Sequence, residues 1–455
     1  MPKCLLLQSI RRTRLLFDDP ETPTEALNQR NITRTHMTDP PQPAISPPDQ
    51  SLGIQKFMAR QPIFDRSRSV LGYELLFRTN LENYFHPASN GNTSECIIDN
   101  CLLFGLNTLT GGRKAFVNFT REALIQDYPM LLPWEQIVVE ILEDVRPDDQ
   151  VLAACRRLKN AGYTIALDDF ILPQADHSLT GFADIIKVDF LTTAPVERRA
   201  LARQFSPLGI KMLAEKVETY GDVVTAQKMG YSYFQGYFFC KPQMMSTREV
   251  PGFKLNYLRL LHAVNRTNLE LSEVEKILRQ EPSLLLKLLR YLNSAYFGLR
   301  GQVTSIRHAL TLLGENSVRK WTSVVALLDL ANDKPAELVV TSLIRARFCE
   351  LLARPLRMPK RETDLFLLGL LSVMDAVLGR SMADVLAEMP VVEDVKTALL
   401  GGSNRLRTVL DSVIAQEMGN WHDLRICAEN MGVDEEVFPP TYLQAVQWQR
   451  DSFTG

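Results

Sequence analysis

From residue 57 onward, short and nearly continuous apolar runs alternate with longer stretches of mixed polarity. The runs lie at 57–64, 70–77, 115–119, 137–142, 164–167, 185–190, 212–217 and 233–239. Apolar runs of this length without polar alternation mark strands covered on both faces. Their alternation with helical or loop segments predicts a closed α/β barrel of the TIM-like (β/α)8 type. The link at 65–69 is too short for a crossover helix, so the first strand is expected to run antiparallel to the second. After about residue 251 the pattern becomes helical. Ser272-Glu273-Val274-Glu275 is a capping box ahead of Ile277 and Leu278, and Pro282 precedes Leu284, Leu285, Leu288, Leu289 and Leu292. Further helical stretches fall at 306–313, 318–330, 338–352, 365–378 and 406–418. No fixed-period repeat is visible, which argues against a solenoid. The chain therefore reads as a tail at 1–52, a barrel at 53–250 and an all-α domain at 251–455.

The tail has Arg11, Arg12 and Arg14 followed by polar, proline-rich sequence, and it cannot bury enough apolar area to offset its ordering entropy. Across 455 residues, 51 Lys and Arg face 53 Asp and Glu, a formal charge of −2. That balance argues against wrapping a nucleic acid polymer or docking on anionic lipid, so any charged ligand needs a local site. Cys4, Cys96, Cys101, Cys155, Cys240, Cys349 and Cys427 are scattered and include no CxxC pair, which fits a reducing cytoplasm rather than a disulfide framework. No apolar run approaches the ~20 residues that span a bilayer.

In such a barrel the chemistry sits at the carboxyl ends of the strands. Taken in order, the runs carry Glu74, Asn118, Glu140, Asp168 with Asp169, Lys187 with Asp189, Glu215 and Gln235. Carboxylates from separate strands repel one another at a single mouth unless cations intervene. Hard oxygen ligands point to Mg²⁺ or Mn²⁺, with Lys187 as the nearby ammonium. Two such ions ~3.5–4 Å apart suit the cleavage of a phosphodiester.

These residues also carry a resemblance. Ala59-Arg60-Gln61-Pro62-Ile63-Phe64-Asp65, Gly72-Tyr73-Glu74-Leu75-Leu76-Phe77-Arg78, Val117-Asn118-Phe119-Thr120, Val139-Glu140-Ile141-Leu142-Glu143, Ala166-Leu167-Asp168-Asp169-Phe170, Ile186-Lys187-Val188-Asp189, Ala214-Glu215-Lys216-Val217-Glu218-Thr219 and Gln235-Gly236-Tyr237-Phe238-Phe239 together resemble an EAL domain. That family comprises cyclic di-GMP phosphodiesterases and their non-catalytic relatives. Leu288-Leu289-Arg290-Tyr291-Leu292-Asn293-Ser294 and Ser305-Ile306-Arg307-His308-Ala309-Leu310-Thr311-Leu312-Leu313-Gly314 resemble an HDOD domain. Over about 57 to 440 the order and wording together resemble those of bacterial EAL–HDOD two-domain signalling proteins.

The resemblance implies that Glu74, Asn118, Glu140 and Asp168 ligate a first metal, and that Asp168 and Asp169 contribute to a second, with Glu215 around it. By the same resemblance Lys187 polarises the attacking water, Gln235 fixes that water or a phosphate oxygen, Gln61 and Arg78 contact the dinucleotide, and Glu143 ties down the loop after the fifth strand. It implies a cytoplasmic protein that binds cyclic di-GMP and hydrolyses it to the linear dinucleotide. The HDOD domain would serve as a regulatory or output module for a signalling protein not identified by the sequence, and a homodimer is left open.

Three positions depart from the family pattern. Leu75 replaces the alanine of the Glu-Ala-Leu signature. Lys216 replaces a glycine, and strand alternation is expected to turn it away from the site. Ile171-Leu172-Pro173-Gln174-Ala175-Asp176-His177 replaces a glycine-rich loop associated with the second metal and with dimerisation. A receptor that binds without turnover, or a scaffold acting through the helical half, are therefore the alternative readings. In that half only His262, His308 and His422 occur, so a metal site is not expected there. His308 reads as a helix-face residue.

Overall fold

The protein is described by a computed structural model covering residues 57–78, 105–170, 178–241, 252–266, 268–280, 284, 288, 305–387, 389 and 391–453. For 57, 58, 77, 78, 252–256, 280 and 453 the description is of the backbone alone. The tail, the loop at 171–177 and the motif from Leu289 to Ser294 lie outside the described residues.

Eight strands close into a barrel in sequential order: β1 (Phe57–Asp65), β2 (Val70–Arg78), β3 (Lys114–Phe119), β4 (Ile137–Ile141), β5 (Thr164–Leu167), β6 (Ile185–Asp189), β7 (Lys211–Glu215) and β8 (Tyr233–Gln235). As the short link requires, β1 runs antiparallel to β2, and also to β8. The remaining neighbours are parallel. The β1–β2 turn is held by Asp65, whose Oδ1 accepts the backbone N–H of Ser67 at 2.8 Å and of Ser69 at 2.9 Å. The apolar run at 233–239 overstates the last strand. β8 stops at Gln235 because Gly236 has φ 140° and the next residues coil into a 3-10 turn at Tyr237–Cys240.

Alternation sorts each strand into wall and interior. Ile63, Phe116, Val138, Ala166, Ile185 and Leu213 pack together inside the barrel as an apolar floor. Two positions nearer the mouth the interior residue becomes polar on every strand or, for β5, just past its end: Gln61, Glu74, Asn118, Glu140, Asp168, Lys187, Glu215 and Gln235.

Around the barrel run α1 (Leu106–Thr110), α2 (Arg121–Ile125), α3 (Asp149–Asn160), α4 (Pro195–Phe205) and α5 (Tyr220–Met229). Asp148 caps α3 by accepting the N–H groups of Gln150 and Val151, and Thr219 with Asp222 forms a reciprocal capping box on α5. The second half is helical: α6 (Gly252–Val264), α7 (Leu271–Gln280), α8 (Ile306–Leu330), α9 (Ala336–Leu352), α10 (Glu362–Leu371), α11 (Met374–Leu378), α12 (Met382–Ala387), α13 (Glu393–Leu399), α14 (Arg405–Met418), α15 (Trp421–Met431) and α16 (Phe438–Phe453). The expected stretches at 306–313 and 318–330 are two arms of α8, broken at Gly314 with φ 74° and ψ 163°. The single stretch expected at 365–378 is instead split into α10 and α11 at Ser372 and Val373. Leu284 and Leu288 are buried, and His308 is exposed on α8. Among the described residues no helix is long and apolar enough to cross a membrane.

One apolar cluster runs without a break from the outer wall of the barrel into the helices. Polar groups are buried along the same seam. Tyr73 Oη donates to Glu337 Oε2 at 2.8 Å, and the Arg60 guanidinium lies 4.5 Å from the centre of the Tyr73 ring while donating to the backbone oxygen of Leu109 at 2.8 Å. Desolvation pushes the Glu337 carboxyl up to about 7, against the pull of Arg60. A carboxyl raised in the folded state contributes stability below its unfolded pKa and loses it as pH rises through the folded value. Glu337→Gln, which keeps an acceptor for Tyr73, should therefore gain on the parent protein between pH 4.5 and 7, by up to about 3 kcal/mol. Urea unfolding at pH 5 and pH 8 reads this directly, and an equal difference at both values would contradict it.

Candidate functional site

The centre of the polar layer is Lys187, which β6 carries into the barrel fully buried. Its Nζ lies 2.8 Å from Asp168 Oδ1, 2.9 Å from Glu140 Oε1, 2.9 Å from Glu215 Oε1 and 3.5 Å from Glu74 Oε2. One ammonium cannot balance four carboxylates away from water. Burial, followed by the charges of Glu74 and Asp168, holds the Glu140 carboxyl well above its usual range, although Lys187 pulls the other way. Burial likewise raises Glu215 to about 8. For Lys187 burial alone would favour the neutral amine, but the surrounding carboxylates outweigh it and hold the ammonium charged.

Neutral amides complete the ring. Asn118 Nδ2 donates to Glu74 Oε1 at 3.2 Å, and Gln235 Nε2 donates to Glu74 Oε2 at 2.7 Å and to Gln61 Oε1 at 3.0 Å. Several buried oxygens are left without a hydrogen-bond donor: Asn118 Oδ1, Glu140 Oε2 and Asp169 Oδ1. Asp168, Asp169 and Glu215 each bring one oxygen within 4.8 Å of the others. Hard, unpartnered oxygens beside an excess of negative charge fit a divalent cation that takes oxygen ligands.

Among the described residues the structure brings together Gln61, Glu74, Asn118, Glu140, Asp168, Lys187, Glu215 and Gln235. Gln61 stands level with Glu74 across the β1–β2 pair. Glu143 is exposed just past β4, and desolvation followed by the nearby Asp168 and Asp169 charges raises its carboxyl. The loop it was expected to hold lies outside the described residues. Arg78 ends β2 at the mouth, and its side chain also falls outside them.

Lys216 corrects an expectation. It does not turn away: β7 ends at Glu215, Lys216 takes φ 51°, and the alternation that applies to extended backbone ceases there. Its Nζ reaches Asp189 Oδ2 at 2.6 Å and Asp169 Oδ2 at 3.9 Å. The positive φ accounts for the family's glycine at this position. In Asp189, burial would raise the carboxyl but is outweighed by Lys216 and by the backbone N–H groups of Thr192 and Leu191, so it is held low.

A second set of residues was not foreseen. Tyr237 Oη donates to Glu417 Oε2 at 2.7 Å and accepts from Arg345 Nη2 at 3.1 Å. Arg345 also meets Glu417 directly at 2.9 Å. Gln61 Nε2 donates to the backbone oxygen of Met418 at 2.9 Å. The contacts of Tyr237 and Gln61 join residues more than 100 positions apart, and Arg345 and Glu417 are 72 apart; the one available signal was charge inside otherwise apolar helices.

Comparison with known proteins agrees with this architecture. Sequence models of the EAL domain and the HDOD domain match residues 107–242 and 250–396. The uncharacterized protein YuxH of Bacillus subtilis is 35% identical over 406 residues, covering 87% of this chain and 98% of the relative. The cyclic di-GMP phosphodiesterase CdgJ of Vibrio cholerae is 33% identical over 399 residues, covering 87% and 92%. Among solved structures, the calcium and cyclic di-GMP complex of Klebsiella pneumoniae BlrP1 aligns with 41% of this chain and 55% of its own, at 23% identity and a TM-score of 0.35. The chain belongs to the family of proteins in which an EAL domain is followed by an HDOD domain.

Proposed function

We propose that the barrel binds cyclic di-GMP and hydrolyses one of its phosphodiester bonds to yield the linear dinucleotide, in a cytoplasmic signalling protein whose helical domain regulates or relays the event. The observation that carries this reading is the ring of carboxylates and amides closed around the buried Lys187 ammonium. The named activity of the Vibrio relative supports it.

Glu74, Asn118, Glu140 and Asp168 would hold a first divalent cation, and Asp168, Asp169 and Glu215 a second. When bound, such ions polarise the scissile phosphate and lower the pKa of water. The side chains of this chain do the positioning. Lys187 Nζ is a donor without acceptor capacity, so it orients the attacking water and stabilises negative charge but cannot serve as the base. Gln235 directs an amide at that water or at a phosphate oxygen, and Gln61 and Arg78 hold the dinucleotide. The water oxygen forms the new bond to phosphorus as the bond to the 3′ oxygen breaks in line; one proton of that water ends on the leaving 3′ oxygen, through solvent, and the other stays on the new phosphate monoester or is released.

Chromatographic turnover with Mg²⁺ or Mn²⁺, run beside Glu74→Ala and a nucleotide titration, tests the reading. Linear product that disappears in the variant supports hydrolysis. Binding without product favours the receptor reading, for which Lys216 is the specific observation, since its ammonium lies 3.9 Å from Asp169, one of the residues that would hold the second cation. Lys216→Gly removes that charge and the cost of a left-handed lysine. It should tighten binding of the weaker Mn²⁺ by about tenfold in a calorimetric titration, and an unchanged isotherm would remove Lys216 from the argument.

A further inference from the structure

We propose that the backbone carbonyl of Met418, at the end of α14, is a positioning group for the nucleotide site, so that the barrel binds its ligand fully only while the helical domain is docked. The inference rests on the ligand-binding role given above to Gln61.

The Gln61 amide is held at both ends. Its Oε1 accepts from Gln235 Nε2, which also donates to Glu74, and its Nε2 donates to Met418 O. An amide fixed at both termini cannot flip, and its second N–H has one direction left in which to point. Without Met418 the outer end is free, and the correctly oriented amide becomes one state among several. The Met418 oxygen is available because it belongs to the last turn of α14, where carbonyls have no partner within the helix.

Two further contacts set the position of this helix end. One residue earlier, Glu417 accepts from Tyr237, which lies two residues beyond Gln235, and is paired with the buried Arg345. One residue later, Gly419 turns with φ 65°, and a Cβ there would lie 2.8 Å from Leu76 Cδ1 of β2. Glu417, Met418 and Gly419 thus engage the turn after β8, β1 and β2 in succession, across the seam where the barrel closes. A cavity of about 30 Å³, lined in part by Gln61, Tyr237 and Glu417, lies in this seam and has room for one water molecule.

Coupling of this kind is reciprocal: if docking orders Gln61 for the ligand, ligand must stabilise docking. Two variants loosen the helix end without touching the carboxylate layer. Gly419→Ala strains the left-handed turn and displaces the Leu76 methyl packed on it, and Glu417→Gln weakens the ion pair while keeping its shape. Each should raise the Kd for cyclic di-GMP in Ca²⁺ about fivefold or more, leaving kcat at saturating nucleotide in Mn²⁺ within about twofold. In the unaltered full chain, nucleotide with Ca²⁺ should slow amide hydrogen exchange in peptides spanning 405–420, a readout independent of whether a variant folds. Unchanged or tighter binding in both variants, or exchange that stays constant or quickens, overturns the proposal and leaves the functional reading intact. A titration in which the unaltered protein binds no cyclic di-GMP overturns both.

Discussion

Lys187→Met is expected to abolish hydrolysis of cyclic di-GMP and also to weaken the fold. Methionine approximates the length of the lysine stem without its charge, so the change isolates the ammonium. The loss of rate should be on the order of 10³-fold or more, because the group that orients the water and faces developing charge is gone. The loss of stability follows from the geometry: the ammonium is fully buried among Glu74, Glu140, Asp168 and Glu215, and removing one partner of a buried ionic cluster costs about 3–5 kcal/mol. The pH dependence has a definite sign. Burial already raises Glu140 and Glu215, the latter to about 8, and without Lys187 both rise further. Carboxyls with raised folded pKa values lose stability as pH increases, so the variant should fall furthest behind the parent at pH 8 and least at pH 5 in metal-free buffer. Turnover with Mn²⁺ and urea unfolding in chelator measure the two effects separately. Activity retained within tenfold would remove Lys187 from the reaction, and a gap that narrows with pH would contradict the electrostatic account.

Gly236→Ala should be nearly as damaging, although the residue touches no ligand group. Gly236 has φ 140° and ψ −177°, a region open essentially to glycine alone. A Cβ there would lie 2.2 Å from Val217 O and 2.5 Å from Val217 N, both rigid backbone atoms. The approach is close because the segments after β7 and β8 are bonded together: Val217 N–H donates to Gln235 O at 2.9 Å and Phe238 N–H to Val217 O at 3.2 Å. Alanine must separate these segments, which carry Glu215 on one side and Gln235 with Tyr237 on the other. The expected cost is about 3 kcal/mol or more, with turnover reduced by at least about 10²-fold through displaced geometry. Thermal unfolding and turnover of the purified variant test this, and a melting temperature within about 2 °C of the parent would show that the loop accommodates the methyl group.

Much of the barrel and its site was legible in the residues. A strand buried on both faces is apolar along its length, and an interior residue that turns polar near the carboxyl end stands out against that background, as Asn118, Glu140 and Lys187 do. Such signals are local, because alternation in an extended chain decides the direction of each side chain within its own strand. Lys216 escaped that rule because the strand ends one residue earlier and the backbone turns left-handed. β8 escaped it because Gly236 ends a run whose apolar residues continue to Phe239. The seam between the domains was not legible at all. Arg345, Glu417 and Glu337 read as charges on helices, and only packing of chain segments more than 100 residues apart buries them against Tyr237 and Tyr73. Sequence by itself thus determined the strands, the polar layer within them and the family. The tertiary structure decided how Lys216 and Gln61 are held, since those contacts depend on backbone turns and distant partners that no local periodicity encodes.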